Sequence, residues 1–115
     1  MIHLINEKRI VPVVAINDSS KAADLASALV AGGLPIAEIT LRTPASLDSI
    51  KIAANNKELL VGVGSLRNAE DLKRAHDAGA KFAVSAGFSP SVAVEAAELG
   101  ICLLYTSPSP RDGLL

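Results

Sequence analysis

Residues 36–44 read IAEITLRTP. The apolar residues suggest a buried β-strand, yet Glu38 stands in the middle and Arg42 at the exit. Strand side chains alternate between faces, so Ala37, Ile39 and Leu41 share one face and Ile36, Glu38, Thr40 and Arg42 the other. In a doubly wound sheet, helices cover both faces. A mid-strand carboxylate there would be buried against apolar side chains at a severe cost. In a β/α barrel the second face points into the lumen, whose upper end is where such folds keep polar working residues. The stretch therefore favours a barrel.

The surrounding chain repeats the same unit. Strand-length apolar runs begin at Val11, Pro35, Leu59 and Lys81, at intervals of 24, 24 and 22 residues. Helical patterns lie between them. Ala22, Leu25, Ala26, Leu29 and Val30 keep the spacing of one helix face; Leu47, Ile50 and Ala54 do so more weakly. Ala69, Leu72 and Ala75 make a third stripe, and Val92, Ala93, Ala96 and Ala97 a fourth. Asp18, Asn68 and Ser89 stand at N-cap positions, with Pro90 at the favoured first helical position. Gly33, Gly79 and Gly100 stand where helices should stop. A short amphipathic stretch, residues 2–8, precedes the first unit. A complete (β/α)8 barrel needs at least ~200 residues. The 115 residues are therefore expected to form an α/β fold of parallel β/α repeats, about the first four units of such a barrel.

The composition fits a globular domain. Half of the residues are hydrophobic and the net charge is −1, with charges of both signs interspersed. That excludes a disordered chain and gives no basic stripe for nucleic acid and no basic amphipathic segment for a membrane surface. No apolar run reaches membrane-spanning length, and the N-terminus lacks a signal-peptide pattern. The single cysteine cannot form an internal disulfide, which fits a reducing compartment. No Cys/His cluster has metal-ligand spacing, so neither a metal nor another cofactor is called for. His76, beside Lys73, Arg74 and Asp77, reads as part of a solvated helix face; His3 lies in the N-terminal stretch. Asp24, Asp48, Glu70, Asp71, Glu95 and Glu98 read as solvated outer helix faces.

After Ile101 the pattern is expected to break, because TSPSPRDG is a turn composition where a fifth strand is due. The run CLLYTSPSPRD, residues 102–112, is similar to the translation of a transposase sequencing adapter. The expectation is a domain over residues 1–101 followed by a non-native tail over 102–115, with no role for Cys102, Tyr105 or Arg111.

Residues 10–101 resemble the N-terminal half of the 2-keto-3-deoxy-6-phosphogluconate (KDPG) / 4-hydroxy-2-oxoglutarate aldolase family. The stretches that carry the resemblance are VPVVAIND, ALVAGGLPIAEITLRTP, LLVGVGSLRNAEDLKRAHDAGAKFAVSAGFSP and AAELGI; GGLPIAEITLRTP is the specific one. The resemblance implies a class I aldolase on a (β/α)8 barrel. A lysine forms a Schiff base with the substrate ketone, and carbon–carbon cleavage yields pyruvate and glyceraldehyde 3-phosphate. It implies that Glu38 moves the protons, that Arg42 holds the pyruvyl carboxylate and that Ser65 touches the substrate. On the strand pattern alone, a lumen ion pair suits Glu38 equally well, and a solvated loop arginine is the plain alternative for Arg42. Ser65 stands where the family usually has threonine, keeping the hydroxyl. Ser85-Ala86-Gly87 stands where it typically has Ser-Pro-Gly, so Ala86 frees a backbone that proline would fix. Thr40 is given a packing role, and the glycines of the GVG run, residues 62–64, are read as tight lumen packing rather than a phosphate loop.

The family lysine falls on the sixth strand, beyond Ile101. Lys8, Lys21, Lys51, Lys57 and Lys73 lie in helical or connecting segments, and Lys81 at the end of its strand opposite the active face. The 115-residue chain is thus expected to be inactive alone, with exposed first and fourth edge strands and a lumen face open to water. The partners implied are a small-molecule keto-acid phosphate substrate, neither nucleic acid nor membrane, and further copies in a cytoplasmic homotrimer for the intact enzyme. Two other substrates fit the same residues, 4-hydroxy-2-oxoglutarate and the galactonate analogue. A non-catalytic half-barrel that binds ligands or assembles with another half is the rival of a different class. A small doubly wound binding domain is the third alternative, to be told apart by the position of Glu38.

Overall fold

A computed structural model describes residues 11–85, 87 and 89–105. The amphipathic stretch with His3 and Lys8, Ala86 and residues 106–115 lie outside the described residues. Among these residues five strands alternate with four helices: β1 Val13–Val14, α1 Ala22–Ala31, β2 Ile36–Thr40, α2 Ser46–Ala54, β3 Leu60–Gly64, α3 Ala69–Ala78, β4 Phe82–Ser85, α4 Pro90–Leu99 and β5 Cys102–Tyr105. A 3-10 turn, Ser19–Lys21, precedes α1; Asp18 caps it by accepting the Ser20 N–H at 3.0 Å.

All strand pairs are parallel and the sheet order is β1-β2-β3-β4-β5. That order decides the architecture. A doubly wound sheet must reverse its strand order to place helices on both faces. A strictly sequential order with right-handed crossovers sends every helix to one side. The packing agrees. One apolar cluster joins Ile39, Val61, Val63 and Ala83 of the strands to Ala22 and Ala26 of α1, Ile50 and Ala53 of α2, Leu72 and Ala75 of α3, and Val92 and Ala96 of α4. Glu38 belongs to the other face of β2, opposite Val13 and Gly62.

Three expectations are corrected. The strand pattern does not end at Ile101, because residues 102–105 pair with β4 from Phe82↔Cys102 to Ser85↔Tyr105. The open edge of a parallel sheet recruits an apolar segment delivered to it by a helix of the right length, and CLLY is such a segment. The concave face is not open to water at its floor, since Ile36 and Phe82 are fully buried and Thr40 is 1% exposed. The Phe82 ring lies over Gly62 so closely that a Cβ there would meet it at 2.3 Å.

The third correction concerns Asp71, which is not on a solvated face: it is 3% exposed. It occupies the third position of α3, where the Asn68 side chain accepts its N–H at 2.8 Å. The chain before the helix folds over it, and the carboxylate accepts the Arg67 backbone N–H at 3.1 Å and the Arg67 Nε–H at 3.2 Å. Asp24, Asp48, Glu70 and Glu98 are exposed.

The helix ends follow their residues. Gly79 at φ +118 and Gly100 at φ +69 end α3 and α4 in the left-handed conformation, which costs glycine least. The stripe on α2 is weak in sequence because its buried face contains Ser46 and Ser49 beside Ile50 and Ala53.

Candidate functional site

Glu38 lies at the centre of β2 on the concave side, 8% exposed. Its backbone is held on the β1 side, where Glu38 N–H donates to Pro12 O at 2.8 Å. Among the described residues no hydrogen bond reaches its carboxylate. Burial pushes the Glu38 carboxyl above the usual carboxylate range, and the nearby positive charge of Arg42 opposes that rise. The shift favours the protonated carboxyl, from which a proton can be passed on.

The loop after β2 carries Arg42, and that loop is tied down. Thr43 Oγ1–H donates to Ile16 O, two residues beyond β1. Ser46 Oγ lies 2.8 Å from the carbonyls of both Thr40 and Thr43 and accepts the Thr43 N–H at 3.2 Å. Thr40, read as packing, is buried and also reaches Val14 O, at 3.4 Å. These bonds root Arg42 while its side chain stays exposed.

Ser65, directly after β3, is half-buried and has φ +58, unusual for a residue with a Cβ. Its Oγ accepts the Arg42 Nε–H at 3.1 Å. The two terminal nitrogens of the guanidinium remain as a fork suited to a carboxylate. Arg42 and Ser65, separated by 23 residues, are thus brought together by the pairing of β2 with β3. Ser85 is buried and its hydroxyl donates to Gly87 O at 2.7 Å.

Gly64 escaped the sequence reading as anything but packing. The Glu38 carboxylate rests against it: a Cβ on Gly64 would lie 1.9 Å from Glu38 Oε2. The signal available was a glycine one strand over and two residues beyond the register partner of Glu38, the charged residue among the described strands.

No lysine occurs in any of the five described strands, and Lys21, Lys51, Lys57, Lys73 and Lys81 are all exposed. Among the described residues no group of three His, Cys, Asp or Glu side chains converges on a metal position, and no helix is long and apolar enough to cross a membrane.

A model of the family described as KDPG and KHG aldolase matches residues 1–110. The 2-dehydro-3-deoxy-phosphogluconate aldolase of Zymomonas mobilis is 41% identical over 106 residues, which cover 92% of this chain and 51% of that protein. The crystal structure of the 2-keto-3-deoxy-6-phosphogluconate aldolase of Zymomonas mobilis ZM4 with 3-phosphoglycerate superposes with a TM-score of 0.80. It is 39% identical, over 89% of this chain and 49% of that one. The KDPG aldolase of Legionella pneumophila, with pyruvate captured as a covalent carbinolamine intermediate, superposes with a TM-score of 0.79 at 30% identity, over 89% and 50%. The chain spans about half the length of the relatives it matches.

Proposed function

The chain belongs to the KDPG and KHG aldolase family, and from that premise we propose that it carries the proton-transfer and carboxylate-binding part of a class I aldolase site. The reaction is cleavage of 2-keto-3-deoxy-6-phosphogluconate to pyruvate and glyceraldehyde 3-phosphate. The observation that carries the reading is a buried carboxylate on the concave face, with an anchored guanidinium at the exit of the same strand.

Addition of an amine to the substrate ketone gives a carbinolamine, the species captured with pyruvate in the Legionella relative. Protonated Glu38 supplies a proton to the carbinolamine oxygen, which leaves as water while the nitrogen lone pair closes the C=N bond. The Glu38 carboxylate then takes the proton of the C4 hydroxyl, whose oxygen becomes the aldehyde carbonyl as the C3–C4 bond breaks and sends its electron pair into the iminium. The resulting enamine takes a proton at carbon from the same carboxyl. Arg42 forks onto the pyruvyl carboxylate with its terminal nitrogens, while Ser65 holds Nε and offers its hydroxyl to the substrate. The amine comes from outside the described residues.

Family membership supports the coarser activity. The choice of KDPG over 4-hydroxy-2-oxoglutarate follows relatives of which some are named for both substrates. A cytoplasmic homotrimer serving the Entner–Doudoroff pathway is carried over on the same membership for the intact enzyme.

The test is a chimera in which residues 11–101 replace the matching segment of the Zymomonas mobilis aldolase. KDPG cleavage is expected, and Glu38→Gln is expected to lower kcat about 100-fold or more. Full activity of the Gln variant would sink the proton role. For the 115-residue chain alone, borohydride reduction with pyruvate is expected to leave the mass unchanged; a trapped adduct would show that one of its own lysines serves.

A further inference from the structure

Gly64 is a strand residue without a positive φ, so its backbone conformation accepts any residue. What it does not accept is a side chain. The Glu38 carboxylate leans along the concave face toward the C-terminal end of the sheet, past its register partner Gly62, and lies over Gly64. A Cβ on Gly64 would stand 1.9 Å from Oε2, 2.7 Å from the carboxyl carbon and 3.0 Å from Cγ. Three atoms of one side chain fill the space. Gly62 answers a different neighbour, the Phe82 ring at 2.3 Å, and Gly33, Gly87 and Gly100 would meet nothing within 4 Å.

We propose that Gly64 is a positioning residue for Glu38: its missing side chain forms the slot in which the carboxylate is seated, and so sets where the proton is held above the sheet. The functional meaning of the slot rests on the reading of Glu38 as the proton carrier; the slot itself does not. A methyl at this position would drive the carboxylate out toward the mouth of the concave face. There it would regain water and lie more fully in the field of Arg42, and both changes favour the charged form. The facing positions Val13, Gly62 and Gly64 carry no charge, so Arg42 is the charged neighbour that counts.

The experiment uses the 115-residue chain with glutamate side chains labelled at the carboxyl carbon, followed by NMR through a pH titration, with Glu38→Gln to assign the signal. Glu38 is expected to titrate above the ordinary glutamate range. Gly64→Ala is expected to bring Glu38 down toward that range. Gly62→Ala, which drives its methyl into the Phe82 ring, is expected to leave the Glu38 titration in place. A folded Gly64→Ala with unchanged Glu38 titration, or an equal shift from Gly62→Ala, overturns the proposal.

If Gly64→Ala does not fold, the double variant Glu38→Ala/Gly64→Ala decides. Recovery of the fold supports a steric conflict with Glu38, and failure to recover overturns it. The two readings separate cleanly. Should Glu38→Gln leave the chimera fully active while the titrations behave as expected, the proton role fails and the slot stands. Should the titrations fail while Glu38→Gln abolishes cleavage, the slot fails and the proton role stands.

Discussion

Glu38 ties the protein's stability to pH. Burial raises its proton affinity in the folded state above that of the unfolded chain, Arg42 working against the rise. Its contribution to stability is therefore complete below the ordinary glutamate range and is lost as pH rises through the raised value. Glu38→Gln, which cannot ionise, is expected to gain stability over the parent toward about pH 8 and to lose that advantage near pH 4. Urea midpoints across that range measure it, and superimposable profiles would contradict it. Ser49 gives a second expectation. Its hydroxyl is fully buried on α2 and has no hydrogen-bond partner among the described residues. Ser49→Ala is expected to stabilise by ~1 kcal/mol; a loss of that size would reveal a partner. The alternation of IAEITLRTP was enough to place Glu38 on a face apart from Ile39. The conformation of Ser65 and the seat at Gly64 were not legible, because serine carries no left-handed signal and a strand glycine does not announce which neighbour excludes its side chain.

At the scale of single elements, α3 separates two neighbouring acids. Glu70 makes an exposed pair with Arg74 at 2.8 Å, whereas Asp71 is buried and accepts the Arg67 backbone N–H. Glu70→Ala is expected to change stability by less than ~0.5 kcal/mol. Asp71→Ala orphans an amide and is expected to cost ~2 kcal/mol, and Asn68→Ala ~1 kcal/mol through the lost cap. Thermal unfolding of the three variants checks the order; equal costs for the two acids would refute it. Sequence spacing identified Asn68 as the cap, since capping chemistry is local. It could not show that residue 67 folds back over Asp71, which depends on where the preceding loop travels. The fifth strand was missed for a related reason. Four apolar residues in front of a turn-rich run carry little periodicity, and the free edge of β4 that receives them exists only in the assembled sheet. Strands β2, β3 and β4 were legible because the apolar runs that start at Pro35, Leu59 and Lys81 each begin one residue before the strand they form.

For the molecule as a whole, β1 is the weak margin. Among the described residues it is two residues long, pairs with β2 alone and leaves Val13 60% exposed. Strand margins of this kind invite pairing with another chain. The 115-residue chain is expected to associate with rising concentration in sedimentation velocity, and sharp, reversible unfolding of a monomer would argue against it. The sequential strand order has a further consequence. Among the described residues each strand after β1 pairs with the strand made before it, so within β1–β5 no pairing waits for a distant part of the chain. Contacts of short sequence separation close with little loop entropy and form fast. Such a chain can be laid down on the ribosome in the order in which it is translated, each unit serving as the template for the next.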